Sequence, residues 1–164
     1  MEKSISLAKP LNNIIKTRSF VERYFTTFTT PDKVYLNMHS NRIVLLGLTK
    51  DHDIFTLNKK IVKIDLLFKH DKHDLKNLVQ GKKKRGGIHV TPSMKLFNIV
   101  CDDESSYVIR SPIRGSLIEI NFDILNGDLS CIQNKPESDG FLVILNLPSF
   151  EYNIEKALSS YNNT

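Results

Sequence analysis

The sequence predicts a mainly β fold, a small barrel or sandwich preceded by one helix and followed by a helical tail. Three observations carry this. From Val34 onward the chain breaks into short apolar runs rich in β-branched residues, separated by polar turns, as strands with one buried face do. Asn126-Gly127 and Asp139-Gly140 supply turn residues that accept positive φ, and Pro92, Pro112 and Pro136 mark strand ends or edges that need no amide donor. Helical spacing occurs only towards the two ends.

In chain order, residues 1–18 contain Pro10 and the Asn12, Asn13 pair without a sustained period, which predicts a loosely held segment. Ser19, Phe20, Val21, Glu22 has the spacing of a capping box, in which serine and glutamate satisfy each other's orphan amides at a helix start. The expected helix runs to about Phe28 and sets Phe20, Tyr24 and Phe28 on one face as core contacts, until Thr30, Pro31 and Asp32 stop it. Strands are expected over 42–48, 60–68, 96–100, 107–109, 117–121 and 141–147, with an all-β interior. After Pro148 and Ser149, the residues Ile154, Leu158 and Tyr161 share a helical face. The expected organisation is one domain over 19–150 with a helical tail over 151–164.

A chain of 164 residues that is 40% hydrophobic can bury one substantial core. No apolar run approaches the ~18 residues of a membrane span, and the first thirty residues lack the apolar centre of a secretory signal. A soluble intracellular protein without membrane contact is expected. Cys101 and Cys131 form neither a CxxC pair nor a disulfide framework, so both read as reduced, structural thiols. The net charge of +5 hides a separation: residues 1–100 carry 19 Lys/Arg against 8 Asp/Glu, and 101–164 carry 4 against 10. A field of +11 against −6 orients charged partners. Ile61, Val62, Lys63, Ile64, Asp65 also echoes Leu117, Ile118, Glu119, Ile120, Asn121 in apolar and polar character, as a barrel of two quasi-equivalent halves would leave behind.

Residues 111–145, SPIRGSLIEINFDILNGDLSCIQNKPESDGFLVIL, resemble the carboxyl half of a biotinyl/lipoyl hammerhead domain. The Ser-Pro-x-x-Gly and Pro-x-x-x-Gly turns within them are similar to those of the closing strands of the glycine cleavage H protein. This resemblance implies a hairpin tip at 101–106 bearing a modified lysine. The tip here is Cys101, Asp102, Asp103, Glu104, Ser105, Ser106, with three carboxylates, no amine, and Glu104 at about the lysine's place. The resemblance therefore implies the frame and not the carrier chemistry, and no cofactor is expected.

A second resemblance covers most of residues 20–151. FVERYFTTFTTPD, MHSNRIVLLGL, VQGKKKRGG, IRGSLIEIN and NKPESDGFLVILNLPSFE, in this order, resemble the Abitram or Simiate family of actin-binding transcription modulators. The resemblance implies a non-catalytic protein that associates with actin and affects filament assembly. It implies residence in nuclear speckles, cytoplasm and actin-rich cell projections, and partners among nuclear transcription or splicing factors.

The sharpest local feature is Gly81, Lys82, Lys83, Lys84, Arg85, Gly86, Gly87, four cations bounded by glycines. With actin as an acidic partner, Lys82, Lys83, Lys84 and Arg85 are the candidate contact residues, acting mainly on encounter rate. Exposed pairs are worth about 0–1 kcal/mol each, so an apolar anchor is also required. A solubilising turn and a nuclear-import signal are the competing readings of the same residues. Direct sequence-specific contact with nucleic acid is not expected, because no aromatic platform, zinc-finger spacing or recognition helix accompanies the lysines.

His70, Asp71, Lys72, His73, Asp74 puts two histidines at helical spacing, but two nearby lysines and the lack of further ligands favour a solvated linker over a metal site. His39, Ser40, Asn41, Arg42 reads as a turn tied by its own side chains, and it lacks the acid partner and oxyanion frame that catalysis needs. Arg110 and Arg114 are expected to pair with Asp102, Asp103 or Glu104 across the hairpin. The sequence thus points to a non-catalytic actin-binding regulator. The alternatives are a carrier-like module that has lost its lysine and still docks on partners, and a basic nucleic-acid adaptor; self-association is left open.

Overall fold

The computed structural model describes residues 20–68 and 88–163. Along these residues run α1 (Phe20–Tyr24), β1 (Phe25–Thr29), β2 (Val34–His39), β3 (Ile43–Leu48), α2 (Asp53–Thr56), β4 (Ile61–Leu66), β5 (His89–Val90), β6 (Lys95–Cys101), β7 (Ser106–Arg110), β8 (Gly115–Ile120), α3 (Phe122–Asn126), α4 (Ser130–Asn134), β9 (Val143–Asn146) and α5 (Ile154–Asn162). Six strands form one sheet in the order β1-β2-β3-β9-β8-β5, and β4-β6-β7 form a second. The β-rich architecture expected from the sequence is what forms.

Alternation fixes which face is buried. Leu36, Leu46, Val143 and Ile120 stand opposite one another across β2, β3, β9 and β8, and all four are buried. Val44, Leu145 and Leu117 make a second such row. The smaller sheet supplies Ile61, Phe97, Ile99, Cys101 and Ile109 to the same core. Each fully buried Leu, Ile or Phe contributes about 1.5–3 kcal/mol relative to exposure, while an exposed ion pair contributes about 0–1 kcal/mol. Packing between the sheets therefore holds the fold.

The internal echo has a structural counterpart. The ladder between β4 and β6 skips Val62, between Ile61 and Lys63, and the ladder between β8 and β9 skips Ile118, between Leu117 and Glu119. Both bulges fall at the same position of the five-residue echo. A bulge adds one unpaired residue and sharpens local twist, which bends the strand.

Several expectations are corrected. The amino-terminal helix stops at Tyr24 instead of about Phe28, because Phe25–Thr29 pairs along its length with β2. Three threonines and two phenylalanines suit a pleated strand better than a helix, and the Thr27 hydroxyl donates to Asn37 Oδ1 at 2.7 Å across the pair. Phe28 reaches the core edge while Tyr24 is exposed, so they share no helical face. Ser19 lies outside the described residues.

The interior is also not all-β, since α2, α3 and α4 interrupt it. Asn121 caps α3 by accepting the Asp123 amide at 3.0 Å, and Gly127 ends it at φ 78°. The Asn126-Gly127 pair thus closes a helix instead of a hairpin, two tasks that draw on the same left-handed conformation. Gly140 does not adopt positive φ. It is needed because a Cβ there would stand 2.6 Å from the Cys131 carbonyl oxygen.

The terminal helix forms as expected. Ile154 and Leu158 are buried, and the Tyr161 hydroxyl donates to Asp32 Oδ2 at 2.6 Å, fastening α5 to the β1–β2 turn. Cys101 and Cys131 are free thiols. Burial and donation to Asp123 Oδ2 push the Cys131 thiol up to about 11, away from the reactive thiolate.

Candidate functional site

The β6–β7 hairpin holds the turn at which the carrier resemblance implied a modified lysine. Residues 102–105 form it, with Glu104 exposed at φ 63°. The Glu104 amide donates to the Cys101 carbonyl at 3.1 Å and the Cys101 amide to the Ser105 carbonyl at 2.9 Å. Short polar side chains suit this turn because they bond their own backbone, and Asp103 Oδ1 accepts the Ser105 amide at 3.1 Å.

The tip does not stand free. Lys59 Nζ lies 2.8 Å from Asp103 Oδ2, donates to Ser105 Oγ at 2.9 Å and sits 5.2 Å from the centre of the Tyr107 ring. The Asp102 amide donates to the Lys60 carbonyl at 2.9 Å, and the Lys60 amide to Asp102 Oδ1 at 3.2 Å. Hydrogen bonds from Lys59 and Ser105 hold the Asp103 carboxyl down at about 2, and the bonds to Asp103 and Tyr107 raise the Lys59 ammonium. The tip itself carries no amine, and the nearby Lys59 ammonium is bound to Asp103.

Arg110 and Arg114 do not meet the tip carboxylates. Arg110 closes β7 at the far end of the hairpin, opposite Lys95, and its Nη1 donates to the Ser93 carbonyl at 3.2 Å. The Arg114 amide donates to the Tyr152 hydroxyl at 3.1 Å. Lys59, which sequence reasoning missed, takes the role expected of them, because residues far apart in the chain converge only once β4 pairs with β6.

Beside the tip, α2, the start of β4 and α4 enclose a groove of about 680 Å³ that includes Phe55, Val62 and Leu129. Gln133 spans it: its Oε1 accepts the Ile61 amide at 2.9 Å and its Nε2 donates to the Lys59 carbonyl at 3.1 Å. The carboxamide thereby imitates a neighbouring strand and closes part of the β4 edge.

The β2–β3 turn is tied as the sequence suggests. His39 Nδ1 accepts the Asn41 amide at 3.3 Å, Asn41 Oδ1 accepts the Ile43 amide at 3.2 Å, and the Arg42 amide donates to the His39 carbonyl at 3.1 Å. Arg42 stands at φ 71° with its guanidinium 4.4 Å from the Phe150 ring centre, while Phe25 meets the His39 ring edge-on at 5.5 Å.

Lys82, Lys83, Lys84 and Arg85, with His70 and His73, lie outside the described residues. Among the described residues no group of three or more His, Cys, Asp or Glu could hold a metal, and no helix is long and apolar enough to cross a membrane.

No family model matches the chain. It is 37% identical to Protein Abitram of Danio rerio over 143 residues, 83% of this chain and 80% of that protein. With Protein Abitram of Homo sapiens the identity is 35% over 140 residues, covering 81% and 76%. With that of Dictyostelium discoideum it is 32% over 138 residues, covering 78% and 75%. Among solved structures, a glycine cleavage system H protein from Mycobacterium marinum superposes with a TM-score of 0.54 at 13% identity, over 84% of this chain and 97% of that one, a likeness of fold alone. The chain therefore has a lipoyl-domain type of fold and belongs to the Abitram family.

Proposed function

We propose that this chain is a non-catalytic actin-binding regulatory protein that modulates actin assembly and transcription, working in nuclear speckles, cytoplasm and actin-rich projections. The observation that carries the reading is family membership across about four fifths of the chain, together with the resemblance through which that family implies actin. Lys82, Lys83, Lys84 and Arg85 supply a cationic contact for an acidic partner, and the charge separation along the chain supports oriented encounter. Nuclear transcription or splicing factors are further partners under this reading.

A second reading is favoured by the hairpin tip. A carrier-like frame whose tip bears Glu104 and is held from outside the hairpin by Lys59 suits a module that keeps the docking surface of a carrier without its prosthetic group. Co-sedimentation with filamentous actin, alongside a polymerisation assay with monomeric actin, decides between them. The actin reading expects the full chain to pellet with filaments or to shift the polymerisation curve, and no effect in either assay removes it.

A further inference from the structure

β1 stands at one end of the six-stranded sheet, so one of its two edges meets no strand among the described residues. The Thr30 amide donates to the Val34 carbonyl at 2.9 Å, which makes these two a hydrogen-bonded pair where the β1–β2 hairpin turns. Such pairs alternate with non-bonded ones along an antiparallel ladder. Phe28 and Thr26 therefore bond to Leu36 and Met38, while Phe25, Thr27 and Thr29 turn their backbone groups to the open edge.

An open edge is a template for a further strand, and proteins block it with charge, bulges, brevity or cover. The other edge strands here are blocked in these ways. β5 has two residues, β4 carries a bulge, Lys63, Asp65 and the Gln133 carboxamide, and β7 ends on Arg110. β1 reads Phe-Thr-Thr-Phe-Thr, five residues suited to a strand with no charge, proline or bulge.

We infer that β1 pairs antiparallel with β1 of a second copy of this chain, about a two-fold axis at Thr27, joining the two large sheets edge to edge. The outward residues are spaced symmetrically about Thr27, and this suits the strand to its own copy. Thr27 then faces Thr27 of the second copy and Phe25 faces Thr29, each as a hydrogen-bonded pair, so the outward groups of both strands are used together. Between them Phe28 stands against Thr26 of the second copy, an aromatic beside a β-branched residue, which is a favourable cross-strand pair. Phe25 and Phe28, both half-buried in the single chain, supply the apolar area that pairing covers. A foreign strand selected by charge would find none on β1. A second copy, although it shares the net charge of +5, meets no like charge across the strand pair. Five residues a side make a small interface, so the dimer is weak and forms with rising concentration. It does not depend on actin, and it presents every other contact surface twice.

The test is sedimentation equilibrium of the full chain across a concentration series, for the wild type, Thr27→Lys, Thr27→Glu and an equimolar mixture of the two variants, each with a thermal unfolding curve. The wild type is expected to rise from monomer towards dimer mass. Because Thr27 lies on the axis, each variant sets like charges directly opposite one another and is expected to dimerise roughly fivefold or more weakly. The mixture sets lysine against glutamate and is expected to regain association. Both variants lose the Thr27 hydroxyl bond to Asn37, so a change in β1 itself moves the mixture no differently from its components. Amide exchange of the wild type gives a second reading that needs no variant to fold: the Thr27 and Thr29 amides are expected to slow as concentration rises. A wild type that stays monomeric throughout overturns the pairing. Folded variants that dimerise as the wild type does, a mixture no tighter than either component, or a dimer that leaves the Thr27 and Thr29 amides unchanged overturns it as well.

Discussion

Val62 and Ile118 hold the same place in two different sheets, each the extra residue of a bulge, one on β4 against β6 and the other on β8 against β9. The five-residue echo around them is thus a repeated piece of geometry. Each bulge sharpens the twist of its strand, and two matched bends let two small sheets close over one core. The β4 copy begins beside the hairpin tip, where Lys59 and Asp103 meet.

That ion pair predicts an acid limit for the tip. The Asp103 carboxyl is held at about 2, against an ordinary value of 3.8. Its folded pKa is depressed, so its contribution is complete above 3.8 and lost as pH falls through about 2. Carboxyl NMR titration of the wild type should show this depression. Lys59→Met, which keeps the stem and removes the cation, should move Asp103 back towards its ordinary value and speed amide exchange over 102–105. An unmoved titration would assign the depression to the Ser105 donors alone.

His52 predicts a second pH dependence, nearer neutrality. It is buried, its Nδ1 accepts the Ile54 amide at 3.3 Å to cap α2, and its ring meets Tyr107 edge-on at 5.3 Å. Burial lowers its pKa from 6.5 and the Lys33 ammonium acts in the same direction, against Asp53 and Asp51. The unfolded chain then binds more protons below 6.5, so stability declines as pH falls from 6.5 towards the lowered folded value. Urea unfolding at several pH values should show this decline, and a shallower one in His52→Asn, which keeps a cap and does not titrate. His52→Ala should cost about 1 kcal/mol at neutral pH through loss of the cap.

Gly127→Ala and Gly140→Ala should differ in severity for different reasons. At Gly127 nothing lies within 4 Å of an added Cβ, and only the φ of 78° opposes alanine, a cost of about 1–2 kcal/mol. At Gly140 the Cβ meets the Cys131 carbonyl oxygen at 2.6 Å and Ile132 Cα at 2.7 Å. Those atoms belong to the α4 backbone and cannot swing aside, so the loss should reach or exceed the ~3 kcal/mol upper range of overpacking. Denaturant midpoints of the two variants rank them directly.

The tip chemistry predicts an unmodified protein. Intact-mass measurement of the chain from its own cells should match the sequence without a lipoyl or biotinyl adduct, because the tip presents a carboxylate at Glu104 and the neighbouring Lys59 is already bound to Asp103. An adduct at any lysine would instead support carrier chemistry.

Under the proposed actin reading, replacing Lys82, Lys83, Lys84 and Arg85 by alanine should weaken association with actin and flatten its dependence on salt, since charges in solvent act mainly on encounter and are screened within about 10 Å at 0.1 M salt. Sedimentation across a salt series reads both quantities. Equal binding and an equal slope would reduce these residues to a solubilising turn.

The β architecture, six of the nine described strands and the terminal helix were legible in the linear chain, because alternation with period two and helical spacing are local patterns that one face of burial imposes, while the family was legible through the resemblance of its motifs in order. Segments whose residues suit two conformations were decided only in three dimensions. Phe25–Thr29 became a strand because β2 stood ready to pair with it, and Asn126-Gly127 closed a helix because Asn121 had capped its start. The candidate sites depend on still longer reach. Lys59 meets Asp103, Gln133 closes the edge at Ile61, and Arg42 lies over Phe150, each pair brought together by sheet register that no local pattern encodes. The sequence alone determined which residues could be buried; the tertiary structure decided which polar and aromatic groups were left facing one another, because that choice follows from closing the two sheets on a shared core.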